Sequence, residues 1–169
     1  MSPKVERSPL PHSYRSFWSL LLLCPLAVSS AVAAPASDAC SIVTKADVEA
    51  ALGKPVGAGE PMKGPSADIS TCDYRTSDGS ASVKVRLSPK LGASEHAAFP
   101  FKDPRPVPGL GEDAKFAPNA ATDEDTARFD LGSALSVRKG KAAISIFYMG
   151  GGDRLAISRA IAEKALARL

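Results

Sequence analysis

Of the two histidines in this 169-residue chain, His12 and His96, only His96 lies beyond the N-terminal 33 residues. It is therefore the one imidazole available to a processed chain for acid–base work. Nucleophilic catalysis requires a nucleophile, a base and a group that orients the base. His96 stands in GASEHAAF beside Glu95, and adjacent positions on a helix do not face each other. Glu95 is thus a poor orienter, and no G-x-S-x-G elbow is present to raise a serine. His96 reads as an exposed surface histidine. Paired carboxylates could cleave a glycoside, but Asp123, Glu124 and Asp125, like Glu112 and Asp113, fall in turn-rich sequence and read as solvated loops. The Asp123 cluster also lacks the spacing and central glycine of an EF-hand. Gly150 to Gly152 could offer amides to an anion, yet neither G-x-x-x-x-G-K-[ST] nor G-x-G-x-x-G is present. Arg138, Lys139 and Lys141 surround a hairpin tip and read as a solvated turn. No catalytic set, metal site or cofactor is expected.

Three cysteines remain to be placed. Residues 1–16 are polar and basic, 17–28 (FWSLLLLCPLAV) are apolar, and SSAVAAPAS follows. A basic segment, a short apolar run and an A-x-A exit make a secretory signal peptide. The run is too short for a membrane span, which needs about 20 residues. The cut is placed after Ala33, with Ala36 as second choice. Cys24 leaves with the signal, and neither Cys24 nor Cys40 has a full lipidation motif around it, so the product is expected to be exported, periplasmic or secreted, without stable membrane insertion. Cys40 and Cys72 remain. In an exported chain an even pair is most simply a disulfide. A two-Cys metal site would need more ligands, and a redox pair would favour C-x-x-C.

Charge adds little. The chain carries 21 basic and 18 acidic residues. Removal of Lys4, Arg7, Arg15 and Glu6 with the signal leaves 18 and 17, a net +1. Nucleic-acid binding loses its electrostatic support.

The elements that must carry these residues are legible in outline. Residues 34–40 read as a flexible leader before a single domain at 41–169. Thr44 and Asp47 mark a helix start, Val48, Ala51 and Leu52 give its apolar stripe, and Gly53 its stop. Residues 55–70, rich in Pro and Gly, read as loop. Cys72, Tyr74 and Thr76, then Val83, Val85 and Leu87, alternate with polar residues about Asp78-Gly79, a hairpin signature. Residues 91–99 suggest a turn or two of helix, and 100–111 read as loop. Residues 113–117 suggest a short strand. Ala127, Phe129 and Leu131 alternate, as do Leu135 and Val137, then Ile144, Ile146 and Tyr148 after a Lys139-Gly140 turn. These read as a three-stranded meander. Asp153 caps a final helix whose apolar side carries Leu155, Ala162, Leu166 and Leu169. The fold expected is α+β: an antiparallel sheet of five to six strands, one side in water, the other covered by a short N-terminal helix and a C-terminal helix.

The segments ACSIVTKADVEAALGKPV, STCDYR, PVPGLGEDAKF, ALSVRKGKAAISI and EKALARL, in that order, resemble a family of small secreted bacterial domains of unknown function. Its relatives include exported lipoproteins and the extracellular sensor domains of receptor kinases. The resemblance spans nearly all of the chain after the signal. It implies that Cys40 and Cys72 occupy paired-cysteine positions and that Gly109, Leu110, Gly111 and Ala114 form a motif loop. It implies no catalytic residues.

The function expected is a non-catalytic exported binding or sensing domain, monomeric or weakly oligomeric, whose partner is a small ligand or an envelope protein. The loops at 55–70 and 100–111 are the expected site, because irregular loops on a rigid sheet often carry function. The competing readings are a small secreted hydrolase or transferase using His96 and a carboxylate, and an envelope stability factor without a small ligand.

Overall fold

A computed structural model describes residues 38–169; the signal peptide, its cleavage near Ala33 and Cys24 lie outside the described residues. Thr44 starts helix α2 (Lys45–Leu52) as its side chain dictates. Its hydroxyl accepts from the Asp47 amide at 3.3 Å, while the Asp47 carboxylate accepts from the Thr44 amide at 2.8 Å. This reciprocal box satisfies two backbone donors that the first turn leaves over. Gly53 ends the helix at φ +64°, a conformation that costs a residue with a side chain roughly 1–2 kcal/mol.

An unforeseen element precedes α2. Helix α1 (Ala39–Ile42) begins inside the segment expected to be a mobile leader. Four residues cannot hold a helix through their own hydrogen bonds. Tertiary contacts order this one: Ala39, Ile42 and Val43 are fully buried, and Cys40 forms a disulfide with Cys72.

Seven strands form one sheet: β1 (Glu60–Lys63), β2 (Ser70–Arg75), β3 (Ser82–Ser88), β4 (Arg105–Pro106), β5 (Asp113–Ala117), β6 (Ser133–Lys139) and β7 (Ala142–Met149). Their spatial order is β1-β2-β3-β7-β6-β5-β4, and every neighbouring pair is antiparallel. The count exceeds the expected five to six because β1 and β4 lie in the Pro- and Gly-rich stretches taken for loop. Both are edge strands, and both contain a proline, Pro61 and Pro106. Proline lacks a ladder donor and is tolerated there. The β2–β3 hairpin forms as expected, with Cys72 opposite Val85 and Tyr74 opposite Val83. The β6–β7 turn falls one residue later than expected, at Gly140-Lys141, because Lys139 still pairs with Ala142.

The alternation at 127–131 is not a strand. Asp123 accepts from the Thr126 amide at 2.7 Å and caps the short helix α4 (Glu124–Ala127). Asn119 then ties down the following turn by donating to the carbonyls of Ala127 and Phe129. Phe129 is 56% exposed and Leu131 39% exposed, so their alternation does not report burial. The meander is β5-β6-β7 instead.

Both faces of the sheet are used. One carries Val83, Val85, Leu87, Leu135, Ile144 and Ile146, all fully buried, beneath α1 and helix α5 (Arg154–Leu166), with α2 packed against α5. Asp153 caps α5 by accepting from the Ala156 amide at 3.0 Å. The buried line of α5 is Ser158, Ile161, Ala162 and Ala165, rotated from the expected stripe. Leu155, Leu166 and Leu169 flank it, partly buried. Small residues at the contact let the helix approach the sheet, and the leucines close its margins. The opposite face, expected to be in water, is covered at one end by helix α3 (Gly92–Ala97), which packs on β6 and β7. Phe101 lies beside α3 with its ring against Phe147, centroids 5.9 Å apart.

Two consequences are measurable. Reduction of the disulfide, or Cys40→Ser with Cys72→Ser, is expected to lower unfolding free energy by about 3–4 kcal/mol from loop entropy, read by urea denaturation of oxidised and reduced protein. Acid lability should follow Asp47. Arg168 donates to it at 2.6 and 3.2 Å, and chiefly through that interaction its pKa falls to about 2. A folded pKa below the unfolded value gives stability that is complete above pH ~4 and is lost as pH falls toward 2. Arg168→Met should flatten that part of the stability–pH curve.

Candidate functional site

His96 is not at the surface. Its residue is 3% exposed, on α3 with its ring driven against the sheet. Nδ1 lies 2.9 Å from Ser136 Oγ on β6, and Nε2 lies 3.1 Å from Asp113 Oδ2 at the start of β5, off the line of a hydrogen bond. The tautomer that suits both neighbours carries its proton on Nε2 and accepts the Ser136 hydroxyl at Nδ1. Sequence reading missed the orienting carboxylate because it looked at Glu95, the chain neighbour, whereas the sheet delivers Asp113 from 17 residues away.

Hydroxyl, imidazole and carboxylate thus stand in the order used by serine hydrolases. The access does not match. Ser136 is 1% exposed, and α3 packs on its strand. A nucleophile must meet a carbonyl carbon at about 3–3.5 Å, which this packing does not allow. What the trio does here is fasten α3 to the sheet. Lys115, reaching the His96 carbonyl at 3.4 Å, adds to the fastening.

The motif loop is likewise turned inward. Leu110 and Ala114 are core residues, 3% exposed each. Gly111 has φ +62°, and a Cβ there would meet the Arg138 carbonyl oxygen at 2.6 Å. The next residue explains the close approach: the Glu112 amide donates to that same carbonyl at 2.9 Å. The Glu112 side chain then takes Arg138 at 2.6 Å and the Gly140 amide at 2.8 Å. The loop therefore pins the β6–β7 hairpin tip and presents glycine backbone to solvent. Lys139 of the same tip is engaged too, donating to the Leu166 carbonyl at 2.9 Å. In the glycine run, the carbonyls of Gly151 and Gly150 accept from Tyr148 Oη and Arg154 Nε, while Asp153 accepts from the Ala156 amide of α5.

The open part of the second sheet face is different. Register places Met62, Thr71, Arg86, Ser145 and Ser136 in one row across β1, β2, β3, β7 and β6, and Asp73, Lys84, Phe147 and Ala134 in the next. The far end of the first row is the buried Ser136–His96 contact. The middle of the face, over β3 and β7, is open. A groove of ≈ 250 Å³ is lined there by Ser82, Lys84, Arg86, Leu131, Phe147 and Met149, among others. Met149 is 55% exposed and Met62 43% exposed. The Arg86 guanidinium stacks over the Phe147 ring, 5.3 Å from its centroid. A wider hollow of ≈ 540 Å³ lies between β4 and the start of α5, but its Arg154 is held by Asp130 at 2.8 Å and its Asp153 by the helix cap.

Burial lowers the His96 pKa from 6.5, opposed by Asp113 and reinforced by the positive charges of Lys115 and Arg138. A base whose folded pKa is depressed favours the fold while neutral. Stability is then complete above pH ~6.5 and falls as pH drops from there through the lowered value. His96→Gln should abolish that decline, measured as the difference in urea midpoint between pH 7.5 and pH 5. No protein-family model, curated protein or solved structure matches this chain.

Proposed function

We propose that the chain is an exported, non-catalytic binding domain, stapled by Cys40–Cys72, whose contact surface is the open strip of the second sheet face. Export is supported by the basic–apolar–small pattern at the N-terminus and by the disulfide, which persists in oxidising compartments. No helix among the described residues is long and apolar enough to cross a membrane. The ordered set of motifs, which resembles that of small secreted bacterial domains of unknown function, supports the same reading, with a small ligand or an envelope protein as the partner.

One observation carries the assignment of the surface. Arg86 Nε is buried without a hydrogen-bond partner among the described residues, in a strip that also exposes Met62, Leu131 and Met149. A buried donor left unmet costs about 1–3 kcal/mol, and exposed apolar side chains gathered beside charges mark contact surfaces more often than scattered ones do. The stretches first expected to bind supply the exposed edge strands β1 and β4 and the buried Leu110.

The second reading, a hydrolase, is favoured by the Ser136–His96–Asp113 order alone. It requires α3 to lift from the sheet before substrate can reach Ser136.

Oxidative footprinting separates the two. Apart from Met1, the chain has only Met62 and Met149, and both lie on the proposed surface. In a native envelope extract both should oxidise several-fold more slowly than in purified protein, while Phe129 labels equally in each. Equal methionine oxidation would overturn the contact surface. Turnover of p-nitrophenyl esters that disappears in Ser136→Ala would establish the hydrolase instead.

A further inference from the structure

The open strip carries two cations that lack carboxylate partners within ion-pair distance among the described residues, Lys84 and Arg86. They point from the same side of β3, two residues apart, hence about 7 Å between Cα atoms. The nearby acids do not neutralise them. Asp73, opposite Lys84 in the register, is held by Arg75 at 2.8 Å. Glu95 lines the adjoining hollow with Arg86, Phe99 and Phe101 without pairing with the guanidinium. The floor between the cations is aromatic, since Phe147 pairs with Lys84 across the sheet and lies under Arg86. Leu131 and Met149 form an apolar wall. Phe101 packs edge-on against Phe147, and Phe99 edge-on against Phe101 at 4.9 Å, so the floor ring is braced from beneath α3.

A guanidinium without a carboxylate partner, lying over the Phe147 ring with its Nε–H turned inward, still presents its terminal N–H groups to a carboxylate's two oxygens. An ammonium at that spacing adds a second charge contact. The remaining lining is apolar. At ≈ 250 Å³ the groove falls below the ~300 Å³ where sites for drug-sized ligands begin, so its occupant is small. Resting on the reading of this face as the contact surface, we propose that the groove binds a small amphiphilic carboxylate. Its carboxylate group lies across Arg86 and Lys84. Its apolar body lies on Phe147, between Leu131 and Met149.

The test uses the exported chain, labelled with ¹⁵N, and titrates 3-phenylpropionate, 3-phenylpropionamide, inorganic phosphate and an acidic peptide. 3-Phenylpropionate should shift amides of residues 84–86 and 147–149 saturably. The amide should bind at least tenfold more weakly, and phosphate alone should not saturate the site. Arg86→Gln should weaken the acid at least tenfold at unchanged melting temperature. Should that variant unfold, the acid–amide comparison on the unaltered chain decides the matter by itself. Equal binding of acid and amide, retention of affinity in folded Arg86→Gln, phosphate binding as tight as the acid, or preference for the peptide would each overturn the proposal. The two levels fail separately. If methionine protection in extract persists while no carboxylate shifts the strip, the contact surface stands and the ligand class falls. If 3-phenylpropionate binds as expected but the methionines are unprotected, the groove stands as the contact site and the wider strip out to Met62 falls.

Discussion

The covalent tie between Cys40 and Cys72 joins a four-residue helix to the second strand of the sheet across 32 residues of chain, and much of the packing is referred to that junction. α1 has too few internal hydrogen bonds to persist alone. Around the disulfide it gathers three polar ties: the Ala39 amide donates to Ser70 Oγ at 2.8 Å, the Tyr74 hydroxyl donates to the Val43 carbonyl, and Arg168 donates to the Ile42 carbonyl at 2.7 Å. Arg168 follows α5 by two residues, so the junction also fixes the C-terminal end of that helix. The cover over the main core is thus set by a linkage between β2 and the two ends of the domain. Chain ends ordinarily fray unless held in this way.

The opposite face follows from a different balance. α3 is six residues long and covers only one end of the face. It is fastened by a buried imidazole rather than by a broad apolar stripe. That choice leaves the rest of the face to its own side chains, and they divide by row. At the α3 end, Ser136 finds an acceptor in His96. At the other end, Thr71 and Asp73 are buried among long neighbours, while Arg86 lies flat on Phe147. Lysine and arginine stems routinely cover apolar surface in this manner and keep the charged group at the boundary. Here the boundary also retains exposed methionine and leucine, which a purely solvated face would not need.

What the sequence disclosed was governed by locality. The capping box at Thr44 and Asp47, the left-handed Gly53, the Asp153 cap and the β2–β3 hairpin are set by residues within a few positions of one another, and all were readable. The disulfide was readable because only two cysteines lie beyond the expected signal segment. β1 and β4 were not, because an edge strand can expose every residue and tolerate proline, which removes both the alternation and the composition that identify strands. The 127–131 segment failed in the converse way: alternation was present, but Asp123 and Asn119 hold that stretch in a cap and a turn. For the site, the misreading of His96 has one cause. Its partners come from β5 and β6, and the register that brings them under α3 is a property of the whole sheet. Arg86 and Phe147 were invisible for the same reason, being neighbours only through the β3–β7 pairing.

Residue identity alone would rank these two clusters in the opposite order. Serine, histidine and aspartate at hydrogen-bond distances are a known catalytic vocabulary, whereas an arginine on a phenylalanine is common on protein surfaces. Burial reverses the ranking. Catalysis by the trio depends on a substrate carbon reaching Ser136 Oγ, and the helix that orients His96 is the same helix that closes the approach, so the orientation and the access exclude each other in this arrangement. For Arg86 they coincide: the Phe147 ring beneath the guanidinium is also the floor of a groove open to solvent. A guanidinium that lacks a carboxylate partner and borders an open groove is better placed to meet a ligand than a hydroxyl sealed under a helix, and in this fold that combination occurs where β3 meets β7.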